Sequence, residues 1–378
     1  MKVAILTQAL RYNFGGILQN YALQTVLRRM GHDVVTLDPR RYKYPEWKYR
    51  WMHRCNVLKR RFLGHVNPEY KKELKIRQRT QTYGTHTFPF IDNYIRRKEY
   101  GDLTKEIGSR DYVAYIVGSD QVWRPKYNKW YTQLGNMFLD FTQGWDVRRI
   151  SYAASFGTEE WEFTSEETQM GKTLLAHFDA VSVREDSGIS LCRQYFDKEA
   201  VHVLDPTLLL DKSDYSTLIN QSTAKGKPGD LYVYILDETE QSQRLLQDMA
   251  QEKGLTPYTY NSRVNDANRD SHELADKVQP PVELWLKGFD QAKYVITDSF
   301  HACVFSIIFQ KQFFLLTNED RGLSRYRSLF NLLGTGDRCV KNLSDVDKMG
   351  EIDYNQVSQR LEKLRGDSML FLERALAG

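Results

Sequence analysis

The sequence predicts an α/β protein of two Rossmann-like, doubly wound domains facing across a cleft, with a C-terminal helix. Three observations predict it. The chain has 378 residues, enough for two domains at roughly 100–200 residues each. Short β-branched or apolar runs of strand length alternate with stretches of helical spacing, the pattern of βαβ units and parallel sheets. One polar stretch with Gly and Pro, "NQSTAKGKPGD" at 220–230, interrupts the alternation, which then restarts.

The elements follow in order. "KVAILT" is the first strand, and "RYNFGG" is a glycine-bearing loop after it. In "YALQTVLRRMGH", Leu23, Val26, Leu27 and Met30 recur at helical spacing, and Gly31 supplies a C-cap. The helix is expected to begin near Ile17. "DVVTLD" completes a βαβ unit. A basic segment then intervenes, reading as mostly helical up to about Glu106. Strands resume with "YVAYIVGSD" at 112–120, "RRISYAASFG" at 148–157 and "AVSVRE" at 180–185, and "VHVLDPTLLL" ends this half. Beyond the linker, "LYVYIL", "LTPYTY", "KYVITD" and "QFFLL" are strands. "ETEQSQRLLQDMAQEKG", "VELWLKGFDQA", "SFHACVFSIIF" and "LSRYRSLFNLLG" are the helices between and after them. A last helix is expected over 354–377, broken near Gly366. The expected domains are 1–219, with a basic helical insertion at 40–110, and 220–350. A C-terminal helix at 351–378 is expected to pack back on the first domain.

Composition narrows the function. A net charge of +4 is too small to argue for nucleic acid, and none is expected as a partner. The basic residues concentrate in the stretch from Arg40 to Arg79, interleaved with Trp and Tyr. Such a segment is either a solvated helical excursion or a contact with an anionic membrane face. Cys55, Cys192, Cys303 and Cys339 are scattered, without CxxC or metal spacing, as in a reducing compartment. No apolar stretch reaches the ~20 residues that span a bilayer. The expected location is the cytoplasm, peripheral at the inner membrane face. No Cys/His cluster stands at metal-ligand spacing.

Ligands of doubly wound sheets bind beyond the carboxyl ends of the strands. Gly15 and Gly16 stand there, either as a tight turn or as an anion-binding helix start. Gly118 permits close approach, Ser119 could donate to an anion, and Asp120 could accept from a hydroxyl or form an Asx-turn. Ser155 holds a similar position. Arg184, at a strand end, could grip a carboxylate or phosphate, or pair with Glu185 or Asp186. Asp205 precedes Pro206, a common turn start. Ser299 is placed to cap a helix whose first turn contains His301. A helix N-terminus disfavours a protonated ring, so an imidazole there suggests contact with an anion or a proton in transit.

These pieces together resemble the polysaccharide pyruvyltransferase family. The resemblance rests on "GGILQNYALQTVLRRMGHDV", "YIVGSDQVWRP", "ISYAASFG", "AVSVREDSG", "LDPTLLL", "VITDSFHACVFSIIFQKQF" and "LSRYRSLFNLLG", in order from residue 15 to about 334. It implies a glycosyltransferase-B-like architecture, with no metal and no organic cofactor expected. It also implies transfer of the pyruvyl unit of phosphoenolpyruvate onto two hydroxyls of a sugar, giving a cyclic ketal. The acceptor would be a sugar or lipid-linked glycan of cell-surface polysaccharide assembly. The family's histidine matches His301 and its strand-end arginine matches Arg184, while Arg325 sits where a further basic residue is common. Many members have Arg-Leu-His where this chain has Ser299-Phe300-His301. Carried onto this chain, His301, Arg184 and Asp120 are the catalytic candidates. Gly15, Gly16, Gly118, Ser119, Ser155, Ser299 and Arg325 are the substrate-binding candidates. Two rivals stand beside this reading. One is a nucleotide-sugar glycosyltransferase, disfavoured because "GLSRYRSL" lacks an E-x₇-E pattern. The other is a non-catalytic sugar- or anion-binding module.

Overall fold

The structure is a computed structural model that describes residues 1–42, 44–63, 67–129, 132–227, 229–262, 278–317 and 322–377, with backbone alone at 58–63. Residues 43 and 64–66 of the basic stretch and Pro228 of the linker lie outside the described residues.

The first half builds a seven-stranded sheet from β1 (Lys2–Leu6), β2 (Asp33–Pro39), β3 (Arg97–Tyr100), β4 (Ala114–Val117), β5 (Arg148–Ala154), β6 (Ala180–Val183) and β7 (Val201–His202). The spatial order is 3-2-1-4-5-6-7 and every pairing is parallel. The second half builds a five-stranded sheet from β8 (Leu231–Tyr234), β9 (Pro257–Tyr258), β10 (Tyr294–Thr297), β11 (Gln312–Leu316) and β12 (Cys339–Val340). Its order is 12-11-10-8-9, again all parallel. The central strands are apolar on both faces because helices cover both.

Helix α1 (Phe14–Arg29) follows β1. It starts three residues earlier than expected, because the Asn13 side chain accepts from the Gly16 N–H at 3.2 Å and caps the first turn. Gly15 and Gly16 are therefore helical rather than a free turn. The basic segment folds as α2 (Glu46–Leu63), α3 (Pro68–Tyr83), α4 (Thr87–Tyr94) and the short α5 (Leu103–Glu106). It also supplies the edge strand β3, which sequence reading took as helix. Then come α6 (Ser165–Leu175), α7 (Asp186–Phe196) and α8 (Lys212–Gln221). The second half carries α9 (Glu240–Glu252), α10 (Val282–Gln291), α11 (Phe300–Ile308), α12 (Ser324–Leu333), α13 (Leu343–Lys348) and α14 (Tyr354–Ala377).

Helix α14 is continuous through Gly366, contrary to the expected break. It starts on the second half, where the Tyr354 hydroxyl bonds to the Lys311 carbonyl. It ends on the first, where the Ser368 hydroxyl accepts from Leu204 N–H at 3.1 Å and Arg148 reaches the Ala375 carbonyl at 3.4 Å. Conversely α8, from the first half, packs on the second: the Tyr215 ring meets Phe305 edge-on at 4.9 Å. Phe14 of α1 stacks on Trp285 of α10 at 5.4 Å. One continuous apolar core thus joins the two sheets. Among the described residues, no helix is long and apolar enough to cross a membrane.

Candidate active site

The two sheets meet at their topological switch points, where strand order reverses and ligands of doubly wound folds bind. In the first sheet this point lies between β1 and β4, in the second between β8 and β10.

The loop after β4 is built with little freedom. Gly118 has φ +133°, and a Cβ there would lie 2.0 Å from the Tyr152 carbonyl oxygen. Only glycine fits, and the close approach is to β5 rather than to a ligand. The Gly118–Ser119 peptide is cis. The Ser119 hydroxyl donates to the Ala153 carbonyl at 2.8 Å, and its N–H donates to Gln19 at 2.9 Å. Gln19 also donates to Thr7 and to the Gly16 carbonyl, both at 2.9 Å. Ser119 is therefore a fastener of this loop, not the anion donor expected from sequence. Asp120, at φ +63°, turns its carboxylate over the first turn of α1, 3.6 Å from where a Gly16 Cβ would stand.

The end of β5 supplies Ser155, whose hydroxyl donates to Glu185 at 2.8 Å. The same carboxylate oxygen of Glu185 accepts from Phe156 N–H at 2.8 Å and Gly157 N–H at 3.2 Å. Ser155 is fully buried and its hydroxyl is taken up by Glu185, which it positions. Sequence reading had cast Glu185 only as a partner for Arg184. The signal available was its place one residue past a strand-end arginine.

Arg184 leaves β6 with its side chain 1% exposed. It donates to Asp205 at 3.0 Å and lies 3.6 Å from Asp120 and 3.8 Å from Glu185. Three carboxylates surround this one buried guanidinium and share its charge, while its Nε and Nη2 are buried without a hydrogen-bond partner. Arg184 thereby orders the acids around it. Asp205 divides its two oxygens. One accepts from the Thr207 N–H at 3.0 Å and hydroxyl at 2.7 Å, fulfilling the turn role. The other faces Arg184 and, 3.5 Å away, Nε2 of His301. Burial pushes the Asp205 carboxyl up, but His301 and Arg184 outweigh it and hold the group well below the usual carboxylate range.

The second sheet brings His301. Asp298, at the end of β10, accepts from the Leu236 and Asp237 N–H groups, each at 2.8 Å, and so locks the end of β8 beside it. Ser299 stands at the N-cap of α11, but its hydroxyl makes no capping bond. His301 in the first turn is 7% exposed, with Nε2 buried and short of a hydrogen bond. Its ring lies against α1 of the first half. A Cβ on Gly15 would fall 2.1 Å from Nδ1 and 2.8 Å from the His301 Cβ. Gly15 thus makes room for the histidine.

Phe300 connects these groups. Its ring lies 5.5 Å from that of His301, with the Arg184 guanidinium 4.4 Å and the Arg325 guanidinium 5.8 Å from its centroid. Arg325 contacts the Tyr326 hydroxyl at 3.3 Å, while its Nε is buried without a hydrogen-bond partner. Lys126, which sequence reading passed over, pairs with Glu162 at 3.7 Å. Its ammonium is pushed below the usual lysine value by partial burial and by Arg124, against the pull of Glu162, and Arg325 adds to the effect. The site has an acidic pole of Asp120, Glu185 and Asp205 around Arg184, with the guanidinium of Arg325 near the Phe300 ring. Two surface concavities elsewhere, of about 620 and 430 Å³, are lined by residues such as Gln169 and Thr173, and Trp145 and His177, and share no residue with it.

A sequence model described as polysaccharide pyruvyl transferase matches residues 13–320, which include every group named above except Thr7, Arg325 and Tyr326. No curated protein matches the chain in sequence. Among solved structures, UDP-N-acetylglucosamine 2-epimerase from Rickettsia bellii is 11% identical, with 100% of this chain and 96% of that one covered and a TM-score of 0.49. MnaA of S. aureus with UDP is 11% identical, covering 96% and 87%, at a TM-score of 0.47. MurG of Acinetobacter baumannii is 11% identical, covering 97% and 94%, at 0.42.

Proposed function

The chain belongs to the polysaccharide pyruvyl transferase family, and from that premise we propose that it transfers the pyruvyl unit of phosphoenolpyruvate onto two hydroxyls of a sugar, forming a cyclic ketal and releasing phosphate. The observation that supports this reading most is His301. It stands in the first turn of α11, beside an ionised Asp205, with unbonded Arg325 Nε nearby. That is an acid–base group next to a site for a small anion.

In this reading, Arg325 and Lys126 meet the phosphate and carboxylate charges of the donor, helped by the Ser299 hydroxyl and the N–H groups of α11. The methylene carbon gains a proton, which makes C2 oxocarbenium-like, and His301 handles that proton. An acceptor hydroxyl loses its proton to Asp120 and bonds to C2. The C2–O bond to phosphate then breaks, the second hydroxyl closes the ring, and its proton leaves with phosphate. Two hydroxyl protons are lost: one is balanced by the new methyl hydrogen and one by the released phosphate. No metal or cofactor enters the balance. Arg184 and Asp205 act by positioning. The acceptor would be a sugar of a cell-surface polysaccharide or its lipid-linked precursor, which would bring the protein to the cytoplasmic membrane face.

Calorimetric titration tests the donor. Phosphoenolpyruvate should bind the wild type, at least ~10-fold more weakly to Arg325→Ala, and with little change to Asp120→Asn, whose turnover alone should fall, by ~10²-fold or more. Binding of UDP-galactose in place of phosphoenolpyruvate would mean a glycosyltransferase and end the pyruvyl reading. Arg184→Ala is a poor probe, because it strands three carboxylates.

A further inference from the structure

Helix α2 has one face accounted for and one that no described residue covers. Its inner side is fixed on α3: Met52 and Asn56 are buried, Tyr49 stacks on Tyr70 at 6.0 Å, and His53 Nδ1 meets the Tyr70 hydroxyl at 2.6 Å. The outer side carries Trp47 at 72% and Trp51 at 63% exposure, one turn apart, with Arg54 completing the i, i+4, i+7 stripe. Among the other described tryptophans, Trp123 and Trp285 are fully buried and Trp145 and Trp161 half-buried. Exposed Val57 and the exposed cations Lys48, Arg50 and Arg54 flank the stripe. The acid among them, Glu46, gives one oxygen to Arg77 at 2.6 Å and the other to Arg50 at 3.3 Å. On the adjoining α3, Lys71, Lys72 and Lys75 are exposed beside Ile76.

Indole rings with cations around them suit the boundary between lipid headgroups and acyl chains, where the ring is half-dry and the charge meets phosphate. Nucleic acid would need a stronger net charge than +4, and a protein partner would not need cations on every side of the rings. We propose that the outer face of α2 docks on an anionic phospholipid bilayer, with Trp47 and Trp51 entering the interface and Lys48, Arg50 and Arg54 at headgroup level. The proposal stands independently of the pyruvyl reading, and its test needs no substrate.

The test is sedimentation of the full chain with vesicles of phosphatidylglycerol and phosphatidylcholine at 1:1, against phosphatidylcholine alone. The wild type should pellet with the anionic vesicles, weakly with the neutral ones, and less at raised salt. Trp47→Ala/Trp51→Ala should lower the partition at least ~10-fold and remove a blue shift of tryptophan emission on vesicle addition. Arg50→Glu/Arg54→Glu should lower it further, since each charge near the surface counts for about fivefold and is here reversed. Both variants alter exposed side chains, so melting temperatures should match the wild type. Equal partition of wild type and the tryptophan variant would overturn the proposal. So would a wild type that stays in solution, or a self-association that the tryptophan variant abolishes without any vesicle binding.

Discussion

The strand ends of the two sheets do different work. Those of the first sheet are crowded and closed: Ser119, Ser155, Glu185 and Asp205 have hydrogen bonds to backbone or to one another, and Arg184 sits among three acids. Those of the second sheet are fastened at the backbone by Asp298 but leave reactive atoms open: the Ser299 hydroxyl, His301 Nε2 and Arg325 Nε. The first sheet supplies most of the frame, and both sheets leave groups for a ligand: Arg184 Nε and Nη2 and Glu185 Oε2 on one side, His301 Nε2 and Arg325 Nε on the other. Buried polar groups without partners are costly in a finished core, so their convergence at the seam marks where a ligand would complete the bonding.

Three substitutions break or sharpen that contrast. His301→Ala removes the open side and should cost ~10²–10⁴-fold in phosphate release from phosphoenolpyruvate; it also takes a buried ring and a partner from Asp205, so the melting temperature should fall as well. Asp205→Asn attacks the frame. It should cost turnover by ~10–10²-fold, since it disturbs His301 only indirectly. It should also destabilise by ~3–5 kcal/mol at neutral pH, as breaking a buried ion pair does. The pH dependence has a definite sign. The Asp205 carboxyl is depressed in the folded protein, so its contribution is fully present above the ordinary carboxylate pKa of ~4 and fades as pH falls through the depressed value. Urea unfolding at pH 7 and pH 3 should show the gap between wild type and Asp205→Asn narrowing on the acid side; a constant gap would contradict the pairing. The smallest effect tests the seam between the sheets. Gly15→Ala would press on the His301 ring and its Cβ, whereas a Cβ at Gly16 meets nothing closer than 3.5 Å. Gly15→Ala should slow turnover about tenfold, the scale of a small misplacement, while Gly16→Ala stays within about twofold of wild type. Equal behaviour of the two would detach His301 from α1.

Much of this was legible in the residues. Continuous apolar strands, helical spacing and the polar linker carry the two parallel sheets, and the strand-end positions of Asp120, Arg184 and His301 bring them to one place. What escaped has physical causes. β3 reads as "RKEY" because an edge strand exposes its charged residues, Lys98 and Glu99. The start of α1 was misplaced because two glycines weaken a helix locally, and only the Asn13 cap compensates. The roles of Ser119 and Ser155 were invisible because a hydroxyl at a strand end serves a backbone carbonyl, a carboxylate or a ligand equally well, and only packing decides. Arg184 could be seen to lie at the site, but not that Asp120, Glu185 and Asp205 would converge on it from three separate loops.

The crossing of α8 and α14 has a consequence for how the chain can be divided. α8 precedes the linker and packs on the half that follows it, while α14 ends the chain and packs on the half that opens it. Each half has lent a helix to the other. A protease nick in the linker near Thr223 should therefore leave a noncovalent complex that migrates as one particle and melts in one transition. Separately expressed fragments 1–223 and 224–378 should restore activity only when mixed, each lacking a wall that the other holds.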